Sequence, residues 1–194
     1  GGIAHAAYGG IGLGYYFGFH PVWGAVAFSV LSALGMGAVQ RRTRQRADTL
    51  IGVMWAVGMA LGIVLLDLTP GYKADLMSYL FGSILTVPRE ELLLMFGLDL
   101  AIGAVVALFY KEFLAISFDE AFAEVENVPV EALWMALLCL IALTVVVMMR
   151  VVGLILVIAL LTIPAAIASQ FARDLRQMMT LGSGLGVLFT TLGL

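Results

Sequence analysis

An all-α, polytopic transmembrane helical bundle is the fold that this sequence predicts, and three observations predict it. Of its 194 residues 62% are hydrophobic and only 12% are charged, where a soluble domain carries about 25% charged residues. No charged residue precedes Arg41, and 49–66, 92–98, 100–110, 132–149, 151–172 and 177–194 are also free of charge. Runs of that kind match the roughly 20 apolar residues with which a helix crosses a bilayer core. The alternating pattern of a membrane barrel is absent.

The elements follow in order. The first span covers about 2–18 and holds Gly9, Gly10, Gly12 and Gly14. Small residues let helix backbones approach closely in lipid; such a helix either packs tightly or also lines a path through shifting contacts. The second span, 21–39, ends at Arg41, Arg42, Arg44 and Arg46. The third, 48–67, is followed by the turn signal Thr69-Pro70-Gly71 and a charged rim of Asp67, Lys73 and Asp75. The stretch Leu76 to Pro88 (LMSYLFGSILTVP) is about half a membrane thickness as helix and reads as an outer re-entrant or interfacial half-helix. Further spans lie at 91–110, 131–149 and 151–171, with another full-length candidate at 177–194, so about seven spans accompany the half-helix. Pro164, inside IALLTIPAAIA, removes a backbone hydrogen bond and is expected to kink its span.

A cluster of arginines in one short loop places 41–46 in the cytoplasm. If 76–88 does not cross, seven of the Lys and Arg residues lie inside and Lys73, Arg89 and Arg150 outside. The chain then forms one transmembrane domain over 1–194, expected to be trimmed at both ends because it starts at Gly1 and stops in an apolar run.

The polar exception is 111–131, KEFLAISFDEAFAEVENVPVE. Ser117 with Glu120 three residues on reads as a capping box, opening a short helix from about Phe118 to Glu126. Asn127 and Pro129 stop it. Phe118, Phe122 and Val125 recur at i, i+4 and i+7 and share a face. Ala121 flanks that face, and Asp119, Glu120, Glu124 and Glu126 lie elsewhere. A headgroup-bound helix is usually basic on its polar side. This one is acidic, which favours insertion of the aromatic face into a groove of a soluble partner.

Several functions are excluded. The net charge of −3 leaves no basic face for nucleic acid. Cys139 stands alone, without a disulfide framework or CxxC site. No GxxxxGK[ST] loop is present, so the chain itself has no P-loop for ATP. Gly182-Ser183-Gly184 resembles the serine surroundings of intramembrane proteases, but it lacks their context. Among polar residues within spans, His5 is either a metal contact or bonded to a backbone carbonyl. Asp99 is either part of a cation or proton relay or a hydrogen-bonded contact between helices, since an isolated carboxylate in lipid costs several kcal/mol. His20, before Pro21, reads as interfacial.

Three stretches together resemble one family. GGIAHAAYGGIGLGY, DLMSYLFGSIL, and YKEFLAISFDEAFAEVENV followed by VVGLILVIALLTIPAAIA are similar to the integral-membrane permease subunit of ATP-binding-cassette importers for zinc, manganese or iron. The resemblance implies a multi-pass protein of the prokaryotic cytoplasmic membrane, with no permanently bound cofactor. It implies a homodimer of permease copies, each bound to a separate ATPase subunit and fed by a periplasmic or extracellular metal-binding protein. It further implies that His5 lies on the metal path, for which Asp99, as the one acid within a span, is the second candidate, and that 111–131 is the coupling segment, with Phe118, Asp119, Ala121, Phe122, Val125 and Asn127 toward the ATPase. Two positions depart from the family: Gly1 replaces an aspartate one turn before His5, and Asn127 replaces a glycine. Asn tolerates the left-handed conformation of a helix end. The alternatives are a permease for siderophore or cobalamin chelates and a proton-coupled secondary transporter using Asp99.

Overall fold

The computed structural model describes residues 2–43, 47–70, 81–82, 87 and 89–193, and the regular structure among them is α-helical. The helices are α1 (Gly2–Phe17), α2 (Pro21–Thr43), α3 (Ala47–Leu68), α4 (Arg89–Leu108), α5 (Tyr110–Phe118), α6 (Glu120–Val125), α7 (Val130–Phe171) and α8 (Leu175–Leu192). An all-helical chain is what lipid requires, because a helix satisfies its own backbone groups without water. Most of the proposed half-helix 76–88, together with Lys73, Asp75, Arg44 and Arg46, lies outside the described residues. Among the described residues four helical lengths are long and apolar enough to cross a membrane: Pro21–Thr43, Asp48–Leu68, Val130–Met149 and Val151–Phe171. A fifth arises if Met95–Leu108 and Tyr110–Phe118, bent by 68° at their junction, form one span. The described part of α1 has 16 residues, and α8 starts with the polar Arg176 and Gln177 in its first turn.

The chain forms two compact units, 1–154 and 155–194. In the first, α1 packs on α2 and on α3. Glycine makes both contacts backbone to backbone. A Cβ on Gly10 would overlap the Gly24 carbonyl of α2, and one on Gly14 would lie 2.6 Å from the Pro21 Cα; later residues of α1 meet earlier ones of α2, so the two run antiparallel. A Cβ on Gly2 would lie 2.9 Å from the Ile51 side chain, one on Gly58 2.6 Å from the Ala6 Cα, and one on Gly12 2.8 Å from the Gly62 carbonyl oxygen. That order makes α1 and α3 parallel. Between α1 and α2 the chain turns at Gly18 (φ 75°). The Phe19 N–H donates to the Gly14 carbonyl at 3.0 Å, the six-to-one bond of a glycine-terminated helix. Pro21 then opens α2 at the position where its missing N–H costs nothing.

The same unit holds α4 to α6 and the first length of α7. α7 leaves helical geometry at Gly153 (φ 78°, ψ 165°). Gly82 (φ 65°) meets it there: a Cβ on Gly82 would overlap the Gly153 nitrogen and the Val152 carbonyl carbon, and would lie 2.7 Å from the Val151 oxygen. In the second unit the backbone stays helical on both sides of Pro164, which is buried. Pro164 thus lies inside the helical run, and the residue of non-helical backbone within α7 is Gly153. Asp174 caps α8, its side chain accepting from the Gln177 N–H at 2.7 Å. The nearest atoms to a Cβ on Gly182 would be Ala165 and Ala168, 3.8 Å away.

Candidate functional site

The polar stretch after α4 builds the most distinctive surface. The sequence suggests one helix there; the structure makes two, α5 and α6, divided at Asp119. Asp119 has extended backbone (φ −154°, ψ 104°), and its carboxylate accepts from the Phe122 N–H at 3.1 Å. The cap is thus Asp119 and not Ser117, whose hydroxyl donates to the Phe113 carbonyl at 2.7 Å. A serine inside a helix can satisfy itself on the carbonyl four residues back. A carboxylate brings negative charge to the partly positive end of the next helix.

α6 ends in a six-residue closure. The Val128 N–H donates to the Ala123 carbonyl at 3.0 Å, and the Asn127 N–H to the Glu124 carbonyl at 3.1 Å. Asn127 takes the left-handed conformation between them (φ 58°), as this motif demands. Pro129 cannot continue the helix, and its carbonyl receives the Leu133 N–H of α7 at 3.1 Å.

This local design splits α6 into two faces. Ala123 is fully buried and joins Phe113, Ile116, Val130 and Leu133 in one apolar cluster, with Val128, Trp134 and Leu137 packed against it. Glu120 does not reach back to close a capping box; its carboxylate accepts the Trp134 indole N–H from α7. Apolar packing and a charge-assisted hydrogen bond therefore tie α6 to α5 and α7. The outer face carries Phe122 and Val125, 60% and 77% exposed, and Phe118, the last residue of α5 before the break at Asp119, is 80% exposed. Asp119, Glu120, Ala121, Glu124, Glu126 and Asn127 are also exposed around it. An apolar face rimmed by acids suits a basic-edged apolar groove.

His5 lies elsewhere in the same unit. It is half-buried on α1 and meets Trp55 of α3 edge to face, with ring centroids 5.2 Å apart and planes at 63°. Asp99 is exposed on α4, whereas α1 packs chiefly on α2 and α3, so the two residues assigned to one path stand on different helix groups. Among the described residues no three His, Cys, Asp or Glu side chains converge as a metal site. His20 is exposed at the α1–α2 turn, its Nδ1 3.4 Å from the Val22 N–H.

Four features escaped the sequence reading: Trp55, the Glu120–Trp134 bond, Gly82 and Gly153. Trp55 had a signal, since tryptophan favours membrane interfaces and this one stands mid-span. So did Gly153, the only glycine between Val130 and Phe171.

Comparison with known proteins agrees with this architecture. The profile of the ABC 3 transport family matches residues 1–194. An uncharacterized membrane protein of Synechocystis sp. is 65% identical over 100% of this chain and 69% of its own length. The manganese transport system membrane protein MntC of Listeria monocytogenes is 36% identical over 99% of this chain and 68% of its own. Among solved structures, PsaBC from Streptococcus pneumoniae in complex with Fab superposes with a TM-score of 0.85 at 33% identity, covering 99% of this chain and 69% of that one.

Proposed function

Since the chain belongs to the ABC 3 transport family, we propose that it is the membrane permease subunit of an importer for a divalent metal ion. Manganese is the favoured cargo, because relatives from several bacteria carry that ion in their names; zinc and iron are the other members of the set. The chain performs no chemistry of its own. ATP is hydrolysed by a separate subunit, an external binding protein delivers the ion, and two permease copies enclose the path in the cytoplasmic membrane of a prokaryote.

The observation that carries this reading is the outward aromatic face of α6. Phe122 and Val125 stand exposed on a six-residue helix, and Phe118 at the end of α5 just before it, within a polar segment, where lipid does not explain them. Docked in a groove of the ATPase, that face receives its movement. The Ala123 cluster and the Glu120–Trp134 bond pass the movement to α5 and α7. His5, the imidazole within α1, contacts the ion transiently, and Asp99 is the carboxylate assigned to the same path. A transport site holds its cargo weakly, so few ligands suffice. With Gly1 one turn before His5, other groups complete the coordination.

Phe122→Asp tests this reading. A charge buried in the groove costs several kcal/mol, so the ATPase subunit is expected to be lost on co-purification, or to hydrolyse ATP without driving uptake. Unchanged co-purification together with unchanged metal uptake would remove α6 as the coupling element.

A further inference from the structure

Where α7 leaves the coupling segment, its opposite sides meet different helices. Leu133, Leu137 and Leu140 recur at four and three residues, and with Val130 and Trp134 they pack in the cluster built on Phe113, Ile116 and Ala123. Met135 and Leu138 lie roughly half a turn round the helix from that row. They reach the other way, to α2. A Cβ on Gly37 would lie 2.9 Å from the Met135 Sδ and 2.9 Å from the Leu138 Cδ1. Gly37 is buried, whereas Gly35 on the same helix is exposed, and a Cβ there would meet nothing within 4 Å. One glycine of α2 is thus a seat for two side-chain tips of α7, and the other faces away.

The chain of contacts continues at both ends of this seat. Trp134, the residue before Met135, donates its indole N–H to the Glu120 carboxylate of α6. On the other side, α2 runs as a single helix from Pro21 to Thr43, so Gly37 and Gly24 belong to one element, about 20 Å apart along its axis. Gly24 crosses Gly10 of α1 backbone to backbone, and a Cβ on either would overlap the carbonyl of the other. His5 lies on α1. Every link falls within the unit 1–154. Close-packed contacts shift as units rather than deform. At Gly37 there is also no side chain of α2 that could turn aside and absorb a movement of α7.

We propose that Met135 and Leu138, seated on Gly37, are a relay that carries movement of α6 across α7 to α2 and, through the Gly24–Gly10 crossing, to the helix that bears His5. This rests on the reading of α6 as the coupling element. The relay needs volume on α7 and bare backbone on α2. Bulk added at Gly37 pushes the two tips out of register, and truncation of the tips leaves α7 free to move without α2. In either case ATP is still hydrolysed, but less of its energy moves the ion.

The test is Mn2+ uptake per ATP hydrolysed, in proteoliposomes holding the full-length permease with its ATPase and supplied with the binding protein. Gly37→Leu fills the seat and is expected to lower that ratio roughly two- to tenfold, within the range by which one residue on a chain of contacts changes coupling. The ATPase subunit is still expected to co-purify. Gly35→Leu puts the same bulk on the open side of α2 and is expected to keep the wild-type ratio. Met135→Ala combined with Leu138→Ala empties the seat without adding bulk, and the same fall is expected. Met135→Leu nearly keeps the volume and is expected to leave the ratio near wild type. A purely structural defect lowers uptake and hydrolysis together and leaves their ratio alone. Where Gly37→Leu yields no folded permease, the double truncation decides. If Phe122→Asp retains both co-purification and uptake, the coupling reading of α6 falls and this proposal falls with it. If Phe122→Asp is defective while the double truncation keeps the wild-type ratio, or while Gly35→Leu lowers it as much as Gly37→Leu, the relay alone is overturned.

Discussion

Replacing Gly153 or Gly82 by alanine is the sharpest test of the packing. Gly153 sits at φ 78°, ψ 165°, a region that only glycine occupies without strain, and a side chain there costs about 1–3 kcal/mol. Gly82 has φ 65°, and alanine there carries two penalties. The left-handed backbone costs roughly 1 kcal/mol. The added methyl also meets Val151, Val152 and Gly153 through backbone atoms, which cannot rotate aside, and overpacking of that kind costs about 1–3 kcal/mol more. Gly82→Ala is therefore expected to lose about 2–4 kcal/mol, and Gly153→Ala about 1–3 kcal/mol. Gly35 and Gly103 provide the control. Both are helical, and a Cβ on either meets nothing within 4 Å, so alanine there removes a helix penalty of about 1 kcal/mol and leaves stability equal or higher. The assay is the loss of the monodisperse peak in detergent after heating, for all four variants of the full-length protein. Melting of Gly82→Ala and Gly153→Ala level with Gly35→Ala and Gly103→Ala would refute the close contact between Gly82 and the α7 break.

Three further outcomes are expected. Asp119→Ala removes the cap of α6 and is expected to cost about 1 kcal/mol, weakening ATPase co-purification, whereas Ser117→Ala leaves it unchanged; equal effects of the two would refute the cap assignment. Glu120→Ala and Trp134→Phe each break the link from α6 to α7, so the ratio of ions moved per ATP hydrolysed in proteoliposomes is expected to fall in both. The double variant is expected to fall no further, and full additivity would show that the two residues act independently. Cysteines placed at Thr43 and at Glu120, in a chain lacking Cys139, are both expected to resist an impermeant thiol reagent in intact cells, since both positions are assigned to the cytoplasm. Labelling of one alone would mean that an odd number of crossings separates them.

The membrane-spanning helical class was legible from composition and charge spacing alone. Hydrocarbon leaves the backbone no partner outside its own helix, so a chain without charge before Arg41 has few other structures open to it. The Phe122 and Val125 pair of α6 was legible for a similar local reason: residues three apart share a side of any helix, wherever that helix sits. Phe118 was not part of it, because the extended backbone of Asp119 ends α5 between Phe118 and Phe122. Asn127 as a helix terminator belongs to the same kind of inference, because the left-handed conformation is a property of the residue. The cap was not legible. Ser117 and Asp119 both suit that role, and the choice went to Asp119 once Phe113 and Ile116 were buried and carried α5 on to Phe118. Nor was the meeting of His5 with Trp55, of Glu120 with Trp134, or of Gly82 with Gly153. Each joins residues between 14 and 71 positions apart. A contact across that distance depends on how whole helices pack. In lipid, where apolar surface by itself gives helices little preference for one neighbour over another, that packing is decided by glycine-scale fit between backbones, which only the folded chain reveals.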